Sequence, residues 1–329
     1  MLLLKKEEMQ RVYSMKEAVE AVKLAFKLFS EGKATVPLRT NIDVPKGAGG
    51  ALFMPAYVEE TESLGVKIVS VFPNNVKVGR PAVPATMVLL EPQTGEVCAI
   101  MDGTYLTQLR TGAAAGAATD LLSRKDASVG AIIGAGGQAL YQLEAMLTVR
   151  ELKEIRVFDV DAARAQSLVR SAGERWGKKG VRIALARSPE EAVDGADVIT
   201  TVTTSKAPVF PGAKVKDGAH VNGIGSYTPQ MQELPPDLLK RADRVFVDSR
   251  EAVLSEAGDF IIPIKEGLFD ASIISGEIGE LVAAHTRGRS GDGEITVFKT
   301  VGIGVQDVVT AREIYKRALE AKLGLEVSL

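Results

Sequence analysis

Three cationic residues stand in stretches that otherwise carry no charge: Arg39 in "TVPLRTNI", Lys67 in "GVKIVSVF" and Arg110 in "LTQLRTGAAAG". The planar fork of arginine binds a carboxylate through paired hydrogen bonds, while lysine can neutralise an anion or move a proton. Together they suggest a pocket for the carboxylate of an amino acid or keto acid. The plainer reading, a charge on a half-exposed strand that faces solvent or a structural carboxylate, is open to each of them. It suits Arg110 least, because the Gly and Ala residues after it provide no charged neighbourhood.

A second chemistry is written in "AIIGAGGQA", where Gly134, Gly136 and Ala139 stand in a G-x-G-x-x-A arrangement between an apolar strand and a helix. Gly134 permits the tight turn, Gly136 lets backbone approach a pyrophosphate at the helix N-terminus, and Ala139 keeps helix and sheet close. The glycines alone are a weak signal. Their context strengthens it: Asp159, about 23 residues beyond Gly136, ends the next strand in "RVFDVD". A carboxylate there accepts from a ribose diol and repels a 2′-phosphate, which favours NAD(H) and leaves NADP(H) open.

A third stretch, "HVNGIGSYTPQMQEL" from His220 to Leu234, breaks an apolar strand at glycines and turns through Tyr227. Glycines at the end of a buried strand imply a close approach to the backbone. His220, at the start of that strand, reads as a satisfied core imidazole rather than a catalyst. His285 falls near a helix end or loop, and neither histidine has a nucleophile-elbow partner.

Composition narrows the classes. A net charge of −2 over 329 residues gives no polybasic footprint, so nucleic acid is not an expected partner. Cys98 is the only cysteine, so no intrachain disulfide forms, which fits a reducing compartment. One cysteine and two histidines also leave few soft ligands for zinc, and no metal is expected. The apolar run in "MLLLKKEEMQ" is too short for a signal peptide, and no stretch approaches the roughly 18 apolar residues of a membrane span. These features predict a cytoplasmic protein without a membrane partner.

The elements that must position these residues follow from periodicity. Residues 14–31 have helical spacing, with Ser14 and Glu17 as a capping box and Gly32 as the stop. From 35 to about 101, short β-rich runs alternate with Gly, Pro and Asn turns, predicting a mostly antiparallel sheet. "LTQLRTGAAAGAATDLLSR" reads as a small-residue helix. From Ala127 strands and helices alternate, which argues a parallel sheet with right-handed crossovers. Past about 305, "VQDVVTAREIYKRALEAKLG" is an amphipathic helix that leaves this alternation and is expected to return to the N-terminal domain. The fold class is therefore α/β: a Rossmann-type domain over 116–305, and a mixed α+β domain over 1–115 plus 306–329.

The motifs "VPLRT", "GVKIVSVFP", "MDGTYLTQLRTGAAAGAATDLLSR", "GAGGQA", "HVNGIGS", "VFVDS", "GEIGEL" and "VGIGVQD" span the chain in order. In them the sequence resembles the ornithine cyclodeaminase/μ-crystallin family. The resemblance implies a homodimer whose N-terminal domain binds substrate and mediates association. It also implies that Arg39, Lys67 and Arg110 surround a substrate carboxylate. Thr86, Arg110, Gly134, Gly136, Gln138, Asp159, Asn222 and Lys299 are implied near the dinucleotide. One position departs from the cyclodeaminase and alanine dehydrogenase pattern: where those branches carry an aspartate in a Gly-x-Asp turn, this chain has Tyr227, beside Ser226.

That departure bears on chemistry. Oxidising an α-amino acid creates a cationic imine that a carboxylate can stabilise. Tyrosine, with an unperturbed pKa near 10, stays neutral around pH 7. Reducing a preformed imine needs an anchored carboxylate, a hydride and a proton for nitrogen, the last of which Lys67 and ordered water can supply. The expectation is an NAD(P)H-dependent reductase of small cyclic 2-imino carboxylates, with Lys67 assisting proton transfer and Tyr227 closing the site. Ornithine cyclodeamination, amino-acid dehydrogenation and a non-catalytic dinucleotide-binding role are the alternatives.

Overall fold

The computed structural model describes residues 1–328, with the Lys179 side chain left aside. They form two compact units, Met1–Arg110 with the residues from Ile303 onward, and Thr111–Gly302. The chain changes unit after Arg110 and after Gly302, a few residues before the boundaries expected from sequence at 115 and 305. No linker marks the first change, because one uninterrupted helix runs through it. Among the described residues, no helix is long and apolar enough to cross a membrane.

The first unit opens with β1 (Leu2–Leu4), α1 (Lys6–Val12) and α2 (Met15–Ser30). Ser14 caps α2, with the Glu17 carboxylate accepting from the Ser14 N–H at 2.8 Å, and Gly32 takes the left-handed conformation after it. The strands β2 (Ala34–Thr35), β3 (Thr40–Val44), β4 (Gly49–Val58), β5 (Ser63–Val71), β6 (Ala85–Leu90) and β7 (Val97–Asp102) follow. They pair antiparallel, as their alternating pattern predicts. Sequence reading missed β1, which adds parallel to β7; three residues are too few to show an alternation.

Helix α3 (Gly103–Leu122) leads into the second unit. There the chain forms β8 (Val129–Ile133), α4 (Ala139–Val149), β9 (Glu154–Phe158), α5 (Ala162–Trp176), β10 (Arg182–Leu185), α6 (Pro189–Val193), β11 (Val198–Thr201) and β12 (His220–Gly223). It continues through α7 (Pro236–Arg241), β13 (Arg244–Val247), α8 (Arg250–Glu256), α9 (Gly258–Lys265), β14 (Gly276–Glu277), α10 (Ile278–Val282) and β15 (Thr296–Lys299). All eight strands are parallel, in the order β10-β9-β8-β11-β12-β15-β13-β14. Chain order reverses between β8 and β11, the switch point of a doubly wound sheet, where such folds bind ligands beyond the strands' carboxyl ends. Strands β14 and β15 were not expected; β15 inserts between β12 and β13, and its residues are all buried.

The chain then returns to the first unit as α11 (Gly304–Glu320) and β16 (Leu325–Glu326), which pairs with β1. Helix α11 packs on α2 and across β4 and β5. Its first residue explains the glycine of "GIG": a Cβ on Gly304 would lie 2.9 Å from the Pro55 carbonyl oxygen of β4. This close approach brings the first turn of α11 down onto the sheet.

Candidate active site

Lys67 occupies the inward register of β5, together with Gly65 and Val69, and is fully buried. A lysine there requires a partner, since an unpaired buried ammonium costs several kcal/mol or gives up its proton. The partner is Asp307 in the first turn of α11, whose two carboxylate oxygens accept from Lys67 Nζ at 2.8 and 2.7 Å. Arg110, on α3 and 5 % exposed, donates through Nε to Asp307 Oδ1 at 2.9 Å and through Nη1 to Gln306 Oε1 at 3.0 Å. Gln306 Oε1 also accepts from the Ile303 N–H at 3.1 Å.

Two cations thus share one carboxylate and leave a net positive charge. Burial brings the Lys67 pKa down from 10.5 to about 7, helped by the positive charges of Arg110 and then Arg39, while Asp307 opposes the fall. Arg39 lies half-buried just before β3, close enough for its charge to act on Lys67. A lysine poised near neutrality can give or take a proton at physiological pH. The three cations singled out by sequence are therefore brought into one electrostatic neighbourhood. Thr86 is exposed on β6, where it pairs with Ile68 and Asp102.

In the second unit, Gly134 follows β8 with φ +103°, and a Cβ on it would lie 2.6 Å from the Val202 carbonyl oxygen beyond β11. Glycine is thus required at the switch point on two counts. A Cβ on Gly136 would meet nothing within 4 Å, so the backbone there is open to approach. Helix α4 has no side-chain cap, and Gln138 Oε1 at its start is buried without a hydrogen-bond partner. Asp159 accepts from the Ala135 N–H at 2.6 Å through one oxygen and from the Asp161 N–H at 2.8 Å through the other. Each oxygen keeps a lone pair for a hydroxyl. Open glycine backbone, an uncapped helix start and an oriented carboxylate match what a dinucleotide's pyrophosphate and ribose need.

The turn after β12 is held from beneath. Glu233 is fully buried and accepts from the N–H groups of Thr203 at 2.5 Å, Gly225 at 2.6 Å and Ser226 at 2.8 Å. Ser226 Oγ donates to the Met231 carbonyl at 2.7 Å. Tyr227, next in sequence, is half-buried. Asp259 takes the N–H groups of Glu233 and Leu234 at 2.6 and 2.8 Å. Lys299, at the end of β15, places Nζ 3.0 Å from Asp259 Oδ2 without hydrogen-bond alignment, so the two pair by charge rather than by a directed bond. Burial pushes the Glu233 carboxyl up from its usual range; Lys299 opposes this and Asp259 adds to it.

Asn222 is engaged throughout: Nδ2 donates to Thr119 Oγ1 at 3.0 Å and Thr200 Oγ1 at 3.3 Å, and Oδ1 faces His220 Nε2 at 3.0 Å. His220 Nδ1 meets Thr296 Oγ1 at 2.9 Å, and burial brings its pKa down to about 3. It is the satisfied, neutral core imidazole expected from sequence. Among the residues of these networks that escaped sequence reading are Gln306, Asp307 and Glu233. An acid in the first turn of a helix, or within a Gln/Glu loop, has an ordinary explanation, and only the fold shows that these two carboxylates are buried.

The architecture has counterparts in known proteins. Residues 1–322 match the model of the ornithine cyclodeaminase/mu-crystallin family. A Delta(1)-pyrroline-2-carboxylate reductase of Bacillus cereus is 39% identical over 327 residues, covering 99% of both chains. The structure of Thermococcus litoralis Delta(1)-pyrroline-2-carboxylate reductase in complex with NADH and L-proline superposes with a TM-score of 0.95 at 41% identity, over 99% of this chain and 100% of that one. An archaeal alanine dehydrogenase dimer with bound NAD has a TM-score of 0.91 at 36% identity, over 99% of this chain and 98% of that one. With a match over nearly its whole length, this chain belongs to the ornithine cyclodeaminase/mu-crystallin family.

Proposed function

We propose that the protein is an NAD(P)H-dependent reductase of small cyclic 2-imino carboxylates of the Δ1-pyrroline-2-carboxylate type, producing proline-like amino acids. The observation that carries this reading is the shared hold of Lys67 and Arg110 on Asp307, which leaves an uncompensated positive charge for one substrate carboxylate. The full-length likeness to reductases of this substrate supports it. Tyr227 stands where dehydrogenating branches carry an aspartate, and a neutral side chain there suits an imine already formed.

Arg39 and Arg110 bind the carboxylate, and Lys67 delivers a proton towards the imine nitrogen. NAD(P)H, when bound, would supply the hydride for the C=N carbon, and one hydride with one proton balances the conversion of imine to amine. Gly134, Gly136 and the start of α4 hold the pyrophosphate, with Gln138 beside it. Asp159 accepts from the adenosine ribose and favours NAD(H) over NADP(H). Thr86, Asn222 and Lys299 complete the residues assigned to the dinucleotide, Asn222 through the strand it stabilises. The working form is a homodimer, as in the archaeal alanine dehydrogenase.

The test follows NADH and NADPH oxidation with Δ1-pyrroline-2-carboxylate and Δ1-piperideine-2-carboxylate, and reduction of NAD+ with alanine and ornithine. Turnover of the cyclic imines, faster with NADH, is expected. Absence of imine turnover with either cofactor would overturn the assignment. Proline and ammonia formed from ornithine with only catalytic NAD+ would replace it by cyclodeamination. Tyr227→Asp should gain activity on ornithine if this turn separates the two chemistries.

A further inference from the structure

Lys67 and Arg110 reach the same carboxylate from different elements, β5 and α3, and the carboxylate comes from a third, the first turn of α11. Asp307 is fully buried and spends both oxygens on these cations, so it has little left to offer a substrate. Gln306, its neighbour, accepts from Arg110 Nη1 and the Ile303 N–H. The Nε and Nη1 donors of the guanidinium are thereby occupied by the chain itself, and its remaining donors point in a direction the protein has set. Gly304 fixes the depth of this turn against β4.

We propose that Asp307 is the positioning residue of the anion site: with Gln306 it orients Lys67 Nζ and the Arg110 guanidinium, and it acts on the reaction through Lys67 rather than by contact with substrate. This rests on the reductase reading above, in which Lys67 is the proton donor. The charged groups that face Lys67 are Asp307 on α11, Arg110 on α3 and Arg39 before β3. Asp307 is the only anion of the three, so it alone keeps Lys67 protonated against burial and two positive neighbours. With the Lys67 pKa near 7, the charged donor is lost as pH rises through neutrality. Neutralising Asp307 moves that loss to lower pH, and a further anion beside Arg110 moves it to higher pH.

The experiment compares pH profiles of kcat/KM for Δ1-pyrroline-2-carboxylate reduction in the wild type, Asp307→Asn and Gln306→Glu, with NADH binding measured separately by fluorescence. The wild type should lose activity on an alkaline limb near pH 7. In Asp307→Asn that limb should fall by ~1–2 pH units, with NADH affinity unchanged. In Gln306→Glu it should rise. A uniform loss of activity in Asp307→Asn, with the limb in place, would mean a merely structural role and overturn the proposal. Should Asp307→Asn not fold, Gln306→Glu decides alone: an upward shift supports the proposal and an unmoved limb overturns it. Failure of the wild type to reduce the imine defeats the reductase reading instead, and is thus distinguishable.

Discussion

Glu233 and Ser226 are joined by a 2.8 Å hydrogen bond from the Ser226 backbone N–H to Glu233 Oε2, and the same oxygen takes the Gly225 N–H at 2.6 Å. Tyr227 is thus carried on a turn whose backbone is tied to a buried carboxylate. A Cβ on Gly225 would collide with the Thr203 backbone, so the turn has no room to relax in that direction. Glu233→Ala strands three backbone N–H donors. Unfolding in urea should show a loss on the order of 3 kcal/mol, with activity falling further than stability alone explains.

Lys67→Met tests proton delivery. The side chain is similar in length and apolar, so it fits the inward register of β5, but it leaves Asp307 to Arg110 alone. Steady-state assays should show kcat/KM for imine reduction reduced by roughly 10²–10⁴-fold. NADH titration should be unaffected, because the glycine turn and Asp159 belong to the other unit.

Asp159→Ser removes the acceptor for a ribose hydroxyl and also the brace on the Ala135 N–H. NADH affinity should fall about tenfold, a change of ~1.4 kcal/mol. NADPH should lose less, because the charge that repels its 2′-phosphate is gone. Equal losses for both nucleotides would show that Asp159 acts only through the turn.

His220 predicts a specific acid sensitivity. Its pKa is about 3 in the fold and 6.5 when unperturbed, so the native state favours the neutral ring. Its contribution to stability is complete above pH 6.5 and declines as pH falls towards 3, because the unfolded chain binds the proton first. Each unit of that window is worth on the order of 1 kcal/mol. Urea midpoints measured at pH 7.5, 5.5 and 4.5 should fall accordingly, and His220→Gln should flatten the trend.

Much of the molecule is legible in the residues themselves. Local signals, each complete within a few residues, suffice for the capping box at Ser14, the alternating strands of the first sheet, the G-x-G-x-x-A turn and Asp159 one strand later. The three cations stand out for a different reason: a charge in an apolar stretch needs an account wherever it occurs. The short strand β1 and the inserted strand β15 were not legible, because pairing partners far along the chain define them rather than their own pattern.

The sequence by itself determined which residue types are present: the three cations Arg39, Lys67 and Arg110, the G-x-G-x-x-A turn with Asp159, and Tyr227. Only the tertiary structure decided that Asp307, 240 residues from Lys67, is the anion that joins Lys67 to Arg110. It also decided that Glu233 holds the turn beside Tyr227. An acid's role depends on what its burial forces it to neutralise, and burial is a property of the folded chain.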